Sequence, residues 1–309
     1  MTVVLAVDAG GTKMAACVVD AEGRLGPVAR SSTPQDEAAD AEAVWRSLAV
    51  LLEPYAERPD LAGVGIGCGG PMIWPAGVVS PLNIRAWRGF PLLDRVRQIF
   101  PDVPVRIHND AICVAVGEHW RGAGRGADNV LGMVLSTGVG GGLILGGRLV
   151  DGASGNAGHV GHVIVEPDGP ACTCGGYGCL EAVARGPALV AWAGEQGWPS
   201  AGRDARDLVS DAGRGHPAAR ATLERAGWAI GIAVASATHL CDLEVVAIGG
   251  GVSQAGPLLF EPMAVALRRH ARMEFARDVR VVPAALGQEA GLVGAAALVL
   301  AGDRYWSAS

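Results

Sequence analysis

Apolar residues in this chain gather into short unbroken runs, each closed by a polar or glycine-rich turn, with stretches of helical spacing between them. Val3 to Val7 is the first run. It ends at Asp8, and Ala9-Gly10-Gly11-Thr12-Lys13 follows before a second run, Met14 to Val19, that stops at Asp20-Ala21-Glu22-Gly23. Runs of this kind between turn residues predict buried strands, so the opening is a hairpin and not the strand-to-helix step of a P-loop. Ala38 to Tyr55 has helical spacing and stops near Pro54. Gly63 to Cys68 is a further strand, opening into Gly69-Gly70-Pro71. Val103 to His108 is another, with Asn109-Asp110 at its C-terminal end and a helix over Ala111 to Trp120.

The order then restarts. Val130 to Ser136 reads as a strand, Thr137-Gly138-Val139-Gly140-Gly141-Gly142 as a turn, and Leu143 to Leu145 as a second strand. Val245 to Ile248 leads into Gly249-Gly250-Gly251, ahead of helices over Pro257 to Met273 and Glu289 to Ala301. The apolar helices between Pro217 and Leu240 read as core. Two similar hairpins, each followed by mixed strands and helices, predict a duplicated α/β architecture with a cleft between its halves. Ligands of such sheets bind beyond the carboxyl ends of the strands, and the glycine turns and Asn109-Asp110 all fall there.

Composition narrows the function. The chain has 309 residues, half of them hydrophobic and 18% charged, enough for two domains with a substantial core. A net charge of −6 argues against a nucleic-acid surface, which needs concentrated positive charge. Lys13 is the single lysine beside 24 arginines. No basic region precedes an apolar core at the N-terminus, so no signal peptide is expected. No apolar run approaches the roughly 20 residues that span a bilayer. The expected compartment is the cytoplasm, with no membrane partner. Cys17, Cys68, Cys113 and Cys241 lie in apolar surroundings and read as small buried hydrophobes.

The most informative segment is G-H-V-I-V-E-P-D-G-P-A-C-T-C-G-G-Y-G-C-L-E, which begins at Gly161 and ends at Glu181. Cys172, Cys174 and Cys179 are close in sequence, and Gly175, Gly176 and Gly178 let the backbone turn so that their sulfurs converge. With His162 they form a three-sulfur, one-imidazole set suited to structural, tetrahedral zinc with no open position. A disulfide fits an odd number of thiols less well. Such a knot would lock the adjacent His159 and Glu181 into one geometry.

The glycine turns carry the remaining chemistry. Free backbone N–H groups at Gly10 and Gly11 make a cradle for phosphates, to which Thr12 and Lys13 add a hydroxyl and a cation. Gly138, Gly140 and Gly141 offer a second cradle, and Gly249 to Gly251 could admit a base or ribose. Each cluster alone could equally be a tight turn. Asp8 beside phosphates suggests a water-mediated magnesium ion, or else a cap of its own turn. Asp110, between strand and helix, is the candidate base for phosphoryl transfer, or else an N-cap.

V-D-A-G-G-T-K at the start, H-N-D-A at 108–111, S-T-G-V-G-G-G at 136–142, A-G-H-V-G-H followed by C-T-C-G-G-Y-G-C-L-E, and I-G-G-G-V at 248–252 resemble the ROK family (repressor, open reading frame, kinase) in order and over nearly the whole chain. The resemblance implies an α/β, two-domain actin-like, hexokinase-type ATPase fold that assembles as a homodimer or homotetramer. It implies a first domain over 1–110 joined by the C-terminal helix at about 290–305, and a second over 111–289 with the zinc loop. Repressor members carry an N-terminal winged helix; this chain begins at the phosphate hairpin and resembles the kinase branch. The implied reaction is ATP-dependent phosphorylation of a hexose 6-hydroxyl, glucose above all, with Asp110 as base. Asp8, Gly10, Gly11, Thr12, Lys13, Thr137, Gly138, Gly249, Gly250 and Gly251 would hold ATP and magnesium. Gly70, Asn83, Asn109, His162 and Glu181 would hold the sugar, and His162, Cys172, Cys174 and Cys179 zinc. The chain departs from the family at His159, where glucokinases usually have Glu. G-H-x-G-H resembles N-acetylmannosamine kinases and a group of actinobacterial glucokinase-like proteins. His159 is thus expected in the sugar pocket, or else as a neighbour of the zinc loop. An amino-sugar kinase is the second reading, and a non-catalytic sugar sensor a distant third.

Overall fold

A computed structural model of the chain describes residues 2–34 and 40–306. The first half contains β1 (Val3–Ala9), β2 (Lys13–Asp20), β3 (Ala29–Ser32), α1 (Ala41–Leu52), β4 (Leu61–Cys68), the small hairpin β5 (Met72–Ile73) and β6 (Val78–Val79), α2 (Leu92–Ile99), β7 (Val105–Asn109) and α3 (Asp110–Arg121). The second contains β8 (Val130–Leu135), β9 (Val139–Leu145), β10 (Arg148–Leu149), α4 (Leu180–Ala184), α5 (Gly186–Glu195), α6 (Ala205–Gly213) and α7 (Pro217–Cys241). It closes with β11 (Val245–Gly249), α8 (Pro257–His270), β12 (Arg280–Pro283), α9 (Ala290–Leu300) and α10 (Gly302–Tyr305).

Two five-stranded sheets repeat one plan. Their orders are β3-β2-β1-β4-β7 and β10-β9-β8-β11-β12. In each, an antiparallel hairpin comes first, a parallel strand adds to its leading strand, and a second parallel strand adds to that one. The duplication expected from the two hairpins is present. Parallel strands buried on both faces should be almost uniformly apolar, and β1 and β11 are: Val4, Leu5, Ala6 and Val7 are inaccessible, as are Val245 to Ile248.

Helices cover the outer faces. Trp45, Leu48, Leu52 and Val96 from α1 and α2 pack on the first sheet with Trp87. Leu223, Ile230, Leu259 and Met263 from α7 and α8 pack on the second. The expected start of the first helix, Ala38, lies outside the described residues; within them the helix begins at Ala41, where Asp40 accepts the N–H of Ala43 at 2.7 Å. A side-chain acceptor at that position satisfies one orphan donor of the first turn.

Between the sheets lie α3 and α9. Helix α9 is apolar all round, the mark of a fully buried helix. Leu292, Ala295, Ala296 and Leu298 join Val4, Ala6 and Cys17 of the first sheet, while Val293 and Ala297 join Ile112, Val130, Ile144 and Val245. The two helices approach through small residues: a Cβ at Gly117 of α3 would stand 2.6 Å from the carbonyl of Ala290.

The second glycine turn is shorter than its sequence implies. Gly140, Gly141 and Gly142 belong to β9 and not to a loop. Helix α3 crosses that strand so closely that a Cβ at Gly140 would stand 2.6 Å from the Cβ of Ala111, and one at Gly142 2.9 Å from that of Ala115. Those glycines admit a helix, and only the 136–138 turn remains open as a cradle. The ends of several helices also shift, because α8 stops at His270 and α9 starts at Ala290 after a short 3-10 turn over Gly287–Glu289.

Glu118 of α3, fully buried, holds three backbone amides. Its Oε2 accepts from Ala123 at 2.8 Å and Ala285 at 3.0 Å, and its Oε1 accepts from Leu286 at 2.8 Å. Glu118→Leu is expected to cost about 3 kcal/mol or more, because each stranded buried N–H costs roughly 1–3 kcal/mol. The urea midpoint measures it; a loss under about 1 kcal/mol would mean that those amides find other partners.

Candidate active site

Three parallel strands of the first sheet end side by side. The register sets Asp8 beside Gly67 and Cys68 beside Asn109, so Asp8, the Gly69-Gly70 turn and Asn109-Asp110 converge at one sheet end. Asn109 is the N-cap of α3, and its Oδ1 accepts from the N–H of Ala111 at 3.0 Å. Its Nδ2 remains on the other side, 3.0 Å from where a Cβ at Gly70 would be. Asp110 is therefore the first helical residue and not the cap. Its Oδ1 shares the N–H of Ala111 at 2.8 Å.

Burial pushes the Asp110 carboxyl above its ordinary range, against the pull of the Ala111 amide and of a charge on His159. Asp8 rises to about 7, through burial first, then the neighbouring charge of Asp110, with Lys13 opposing and Glu289 adding to the rise. Two carboxyls in a poorly solvated corner repel each other when ionised. That electrostatic strain is what a cation or a set of phosphate-bound metal charges would relieve. Asp8 is the penultimate residue of β1, one position before the strand gives way to the turn.

The β1–β2 turn stands at the same end. It is closed by Gly10 N–H donating to the Lys13 carbonyl at 3.1 Å, and buried Thr33 donates its hydroxyl to the Gly10 carbonyl at 2.7 Å. Thr12 and Lys13 are exposed. Asn83 reaches this corner from the 80–91 loop: a Cβ at Gly11 would meet its side chain at 2.6 Å, and one at Gly69 its Oδ1 at 3.1 Å.

The second sheet supplies the opposing parts. Exposed Thr137 and half-buried Gly138 form the β8–β9 turn, and Glu181 Oε2 accepts the N–H of Val139 at 2.9 Å beside it. Gly249 ends β11 next to Val134. Gly250 has φ +93°, and a Cβ there would collide with the Leu135 backbone, so the position requires glycine. His159 is exposed, donates from Nδ1 to the Asn156 carbonyl at 2.8 Å, and lies nearly parallel to His162 with ring centres 6.2 Å apart. It therefore lies beside His162 of the cysteine loop and near enough to Asp110 for a charge on its ring to act on that carboxyl.

His162, Cys172, Cys174 and Cys179 come together, with one ligand atom of each within 4.8 Å of all the others. His162 Nδ1 is 3.8 Å from Cys172 Sγ, and Cys174 Sγ is 3.7 Å from Cys179 Sγ. Tetrahedral zinc with a Zn–S bond of about 2.3 Å requires an S···S edge of about 3.8 Å. A disulfide would need about 2.05 Å, so that alternative fails. Burial and the neighbouring thiols push Cys179 up to about 12, whereas the Gly176 amide leads in lowering Cys174. Three converging sulfurs without a cation resist joint ionisation, and the donor set fits zinc.

The structure thus brings Asp8, Gly11, Gly70, Asn83, Asn109 and Asp110 to one sheet end, Gly138 beside Glu181, and His162 to the three cysteines, while Gly140 and Gly141 lie within β9. Sequence reasoning missed Glu289, which acts electrostatically on Asp8 and pairs with Arg30 at 2.7 Å. An acid immediately before a glycine-containing apolar helix was its available signal. It also missed Thr33 and the partner of His108, Asp151, for which no local pattern exists.

Comparison with known proteins gives one answer. A family model described as the ROK family matches residues 4–301. A glucokinase of Thermotoga maritima is 34% identical over 311 residues, 96% of each chain. An N-acetylmannosamine kinase of Escherichia coli is 34% identical over 297 residues, 95% of this chain and 97% of its own. Among solved structures, a ROK family glucokinase from Streptomyces griseus, in complex with glucose and AMPPNP, matches with TM-score 0.83 and 36% identity, over 96% of this chain and 99% of that one. The ROK hexokinase from Thermus thermophilus matches with TM-score 0.83 and 35% identity, over 98% and 99%.

Proposed function

The chain belongs to the ROK family, and from that premise we propose an ATP-dependent hexose kinase that phosphorylates a sugar 6-hydroxyl, with glucose as the preferred acceptor. Its relatives are sugar kinases on the actin-like ATPase fold, and a sugar kinase is what this chain is. One observation carries the reading to this site. A desolvated carboxylate, Asp110, stands at a helix start, near enough to Asp8 of β1 for their charges to act on each other.

In this reading Asp110 accepts the proton of the 6-hydroxyl as that oxygen attacks the terminal phosphorus of ATP and ADP departs. Phosphoryl transfer asks the protein chiefly for positioning and charge neutralisation. The Gly10-Gly11-Thr12-Lys13 turn and Thr137-Gly138 cradle the phosphates, and Gly249 to Gly251 face the nucleoside. Magnesium, when bound near Asp8, would neutralise the triphosphate. Zinc held by His162, Cys172, Cys174 and Cys179 would keep the sugar loop in one shape. Gly70, Asn83, Asn109, His159, His162 and Glu181 line the sugar side. The halves would be 1–110 with about 290–305, and 111–289, closing on their ligands to exclude water. The assembly would be a homodimer or homotetramer in the cytoplasm.

His159 favours a second reading, an N-acetylmannosamine kinase. Neutral imidazole offers one acceptor where Glu offers two oxygens. A coupled ADP assay over glucose, mannose, glucosamine and N-acetylmannosamine separates the two. Glucose is expected to give the highest kcat/KM; a preference for the acetamido sugar would replace the first reading. Sugar binding without ADP release for any hexose would instead mark a sensor.

A further inference from the structure

His108 is fully buried at the end of edge strand β7, immediately before Asn109 and Asp110. Its Nδ1 accepts the backbone N–H of Asn109 at 2.8 Å, which leaves the ring proton on Nε2. That Nε2–H donates to Asp151 Oδ1 at 2.9 Å, and Asp151 Oδ2 accepts from Trp306 Nε1 at 2.8 Å. Trp74 stacks on the imidazole, with centroids 5.5 Å apart and planes at 24°. Trp306 lies nearly parallel to it, at 6.4 Å and 9°.

Asp151 belongs to the other half of the fold. It follows β10, the edge strand of the second sheet, and opens the segment that carries His159 and His162. The same segment returns to the first half at Gly155, which packs directly on the Trp74 side chain. It is braced internally by Ala157 N–H donating to the Asp151 carbonyl at 3.1 Å, and by the His159 bond to the Asn156 carbonyl.

We propose that His108 and Asp151 are positioning residues, a buried clasp that fastens the segment bearing His159 to the strand bearing Asn109 and Asp110. A buried polar pair adds little net stability over apolar residues of equal volume, so packing alone does not account for it. Its imidazole grips the very amide through which the chain enters the Asn109-Asp110 corner. The sugar-facing segment and the base are thereby held in one frame. The proposal rests on the hexose-kinase reading.

The test is a cycle of His108→Asn, Asp151→Ala and the double variant. Asn keeps an acceptor near the Asn109 amide but is too short to reach Asp151. Each single change is expected to raise hexose KM about tenfold and lower kcat about tenfold, leaving ATP KM within about twofold, since small misplacements of reacting groups cost rates on that scale. The double variant should be no worse than the poorer single one. Amides in 151–162 should exchange with deuterium faster in every variant. Independent, multiplying losses, a parallel rise in ATP KM, or unchanged exchange would overturn the clasp. If His108→Asn does not fold, Trp306→Phe removes one N–H bond while keeping a ring, and the same pattern is expected at smaller size; unchanged hexose KM and exchange there would also overturn it. Should the wild type phosphorylate no hexose, the functional reading fails, while exchange still judges the clasp.

Discussion

Asp110→Asn is expected to lower kcat about 10²–10⁴-fold, the range for loss of a general base, while hexose binding stays within a few-fold of wild type. Asn matches Asp in size and can still accept the Ala111 N–H that holds Asp110. What it loses is the ability to take a proton. A base contributes in the transition state and not in the ground state, so kcat should fall without a compensating rise in KM. The raised position of the Asp110 carboxyl adds a second readout. A base must be ionised, so wild-type kcat/KM should decline on the acid side at a pH above the ordinary carboxylate range. Asp8 is raised to about 7, in part by the charge of Asp110, so the two carboxyls are coupled and produce a joint acid limb. The small residual rate of Asp110→Asn should keep only the part due to Asp8. Stopped-flow turnover and equilibrium sugar titration measure both quantities. Full activity in the variant would end the assignment of Asp110 as base.

The second large effect concerns the metal. The purified protein is expected to carry one zinc per chain, and Cys172→Ser to lose it. Structural zinc supplies folding free energy directly, with apparent values of about 10 kcal/mol or more in small peptides. Here the metal closes a loop on a large scaffold, so the loss should be local. Hexose KM is expected to rise at least about tenfold, in line with losses seen when the surroundings of a metal site are disturbed, and ATP KM to stay within about twofold. The loop between Gly161 and Leu180 carries His162 and leads into Glu181, which touches the second phosphate turn only through the Val139 amide, while the first phosphate turn lies on the other sheet. Metal analysis that finds no zinc, together with unchanged sugar affinity under chelation, would sink the zinc site.

Much of this was readable before any coordinates. The two hairpins betrayed the duplication because buried parallel strands write themselves as unbroken apolar runs. The cysteine loop was readable because metal-ligand geometry confines donors to a short stretch of chain. Other parts were not. Gly140 to Gly142 look like a turn, since sequence does not distinguish a glycine needed for a bend from ones that, like Gly140 and Gly142, admit a helix. The His108–Asp151–Trp306 chain joins residues far apart in sequence, and only the sheet edges bring them together. Glu289 looked like the start of a helix, and its influence on Asp8 arises from where α9 is threaded.

That threading has a consequence for how the protein can change over generations. Along the α3–α9 crossing, distance is set by main chain meeting main chain, at Gly117 against Ala290 and at Gly294 against Cys113. A single methyl group there would wedge the two sheets apart, and Asp110, at the head of α3, would be carried with them. Drift at this seam is therefore confined to the tiniest residues, whereas the outer helices can exchange one bulky hydrophobe for another. The placement of the Asp110 corner is thus inherited from a pair of glycines packed on main chain deep between the sheets.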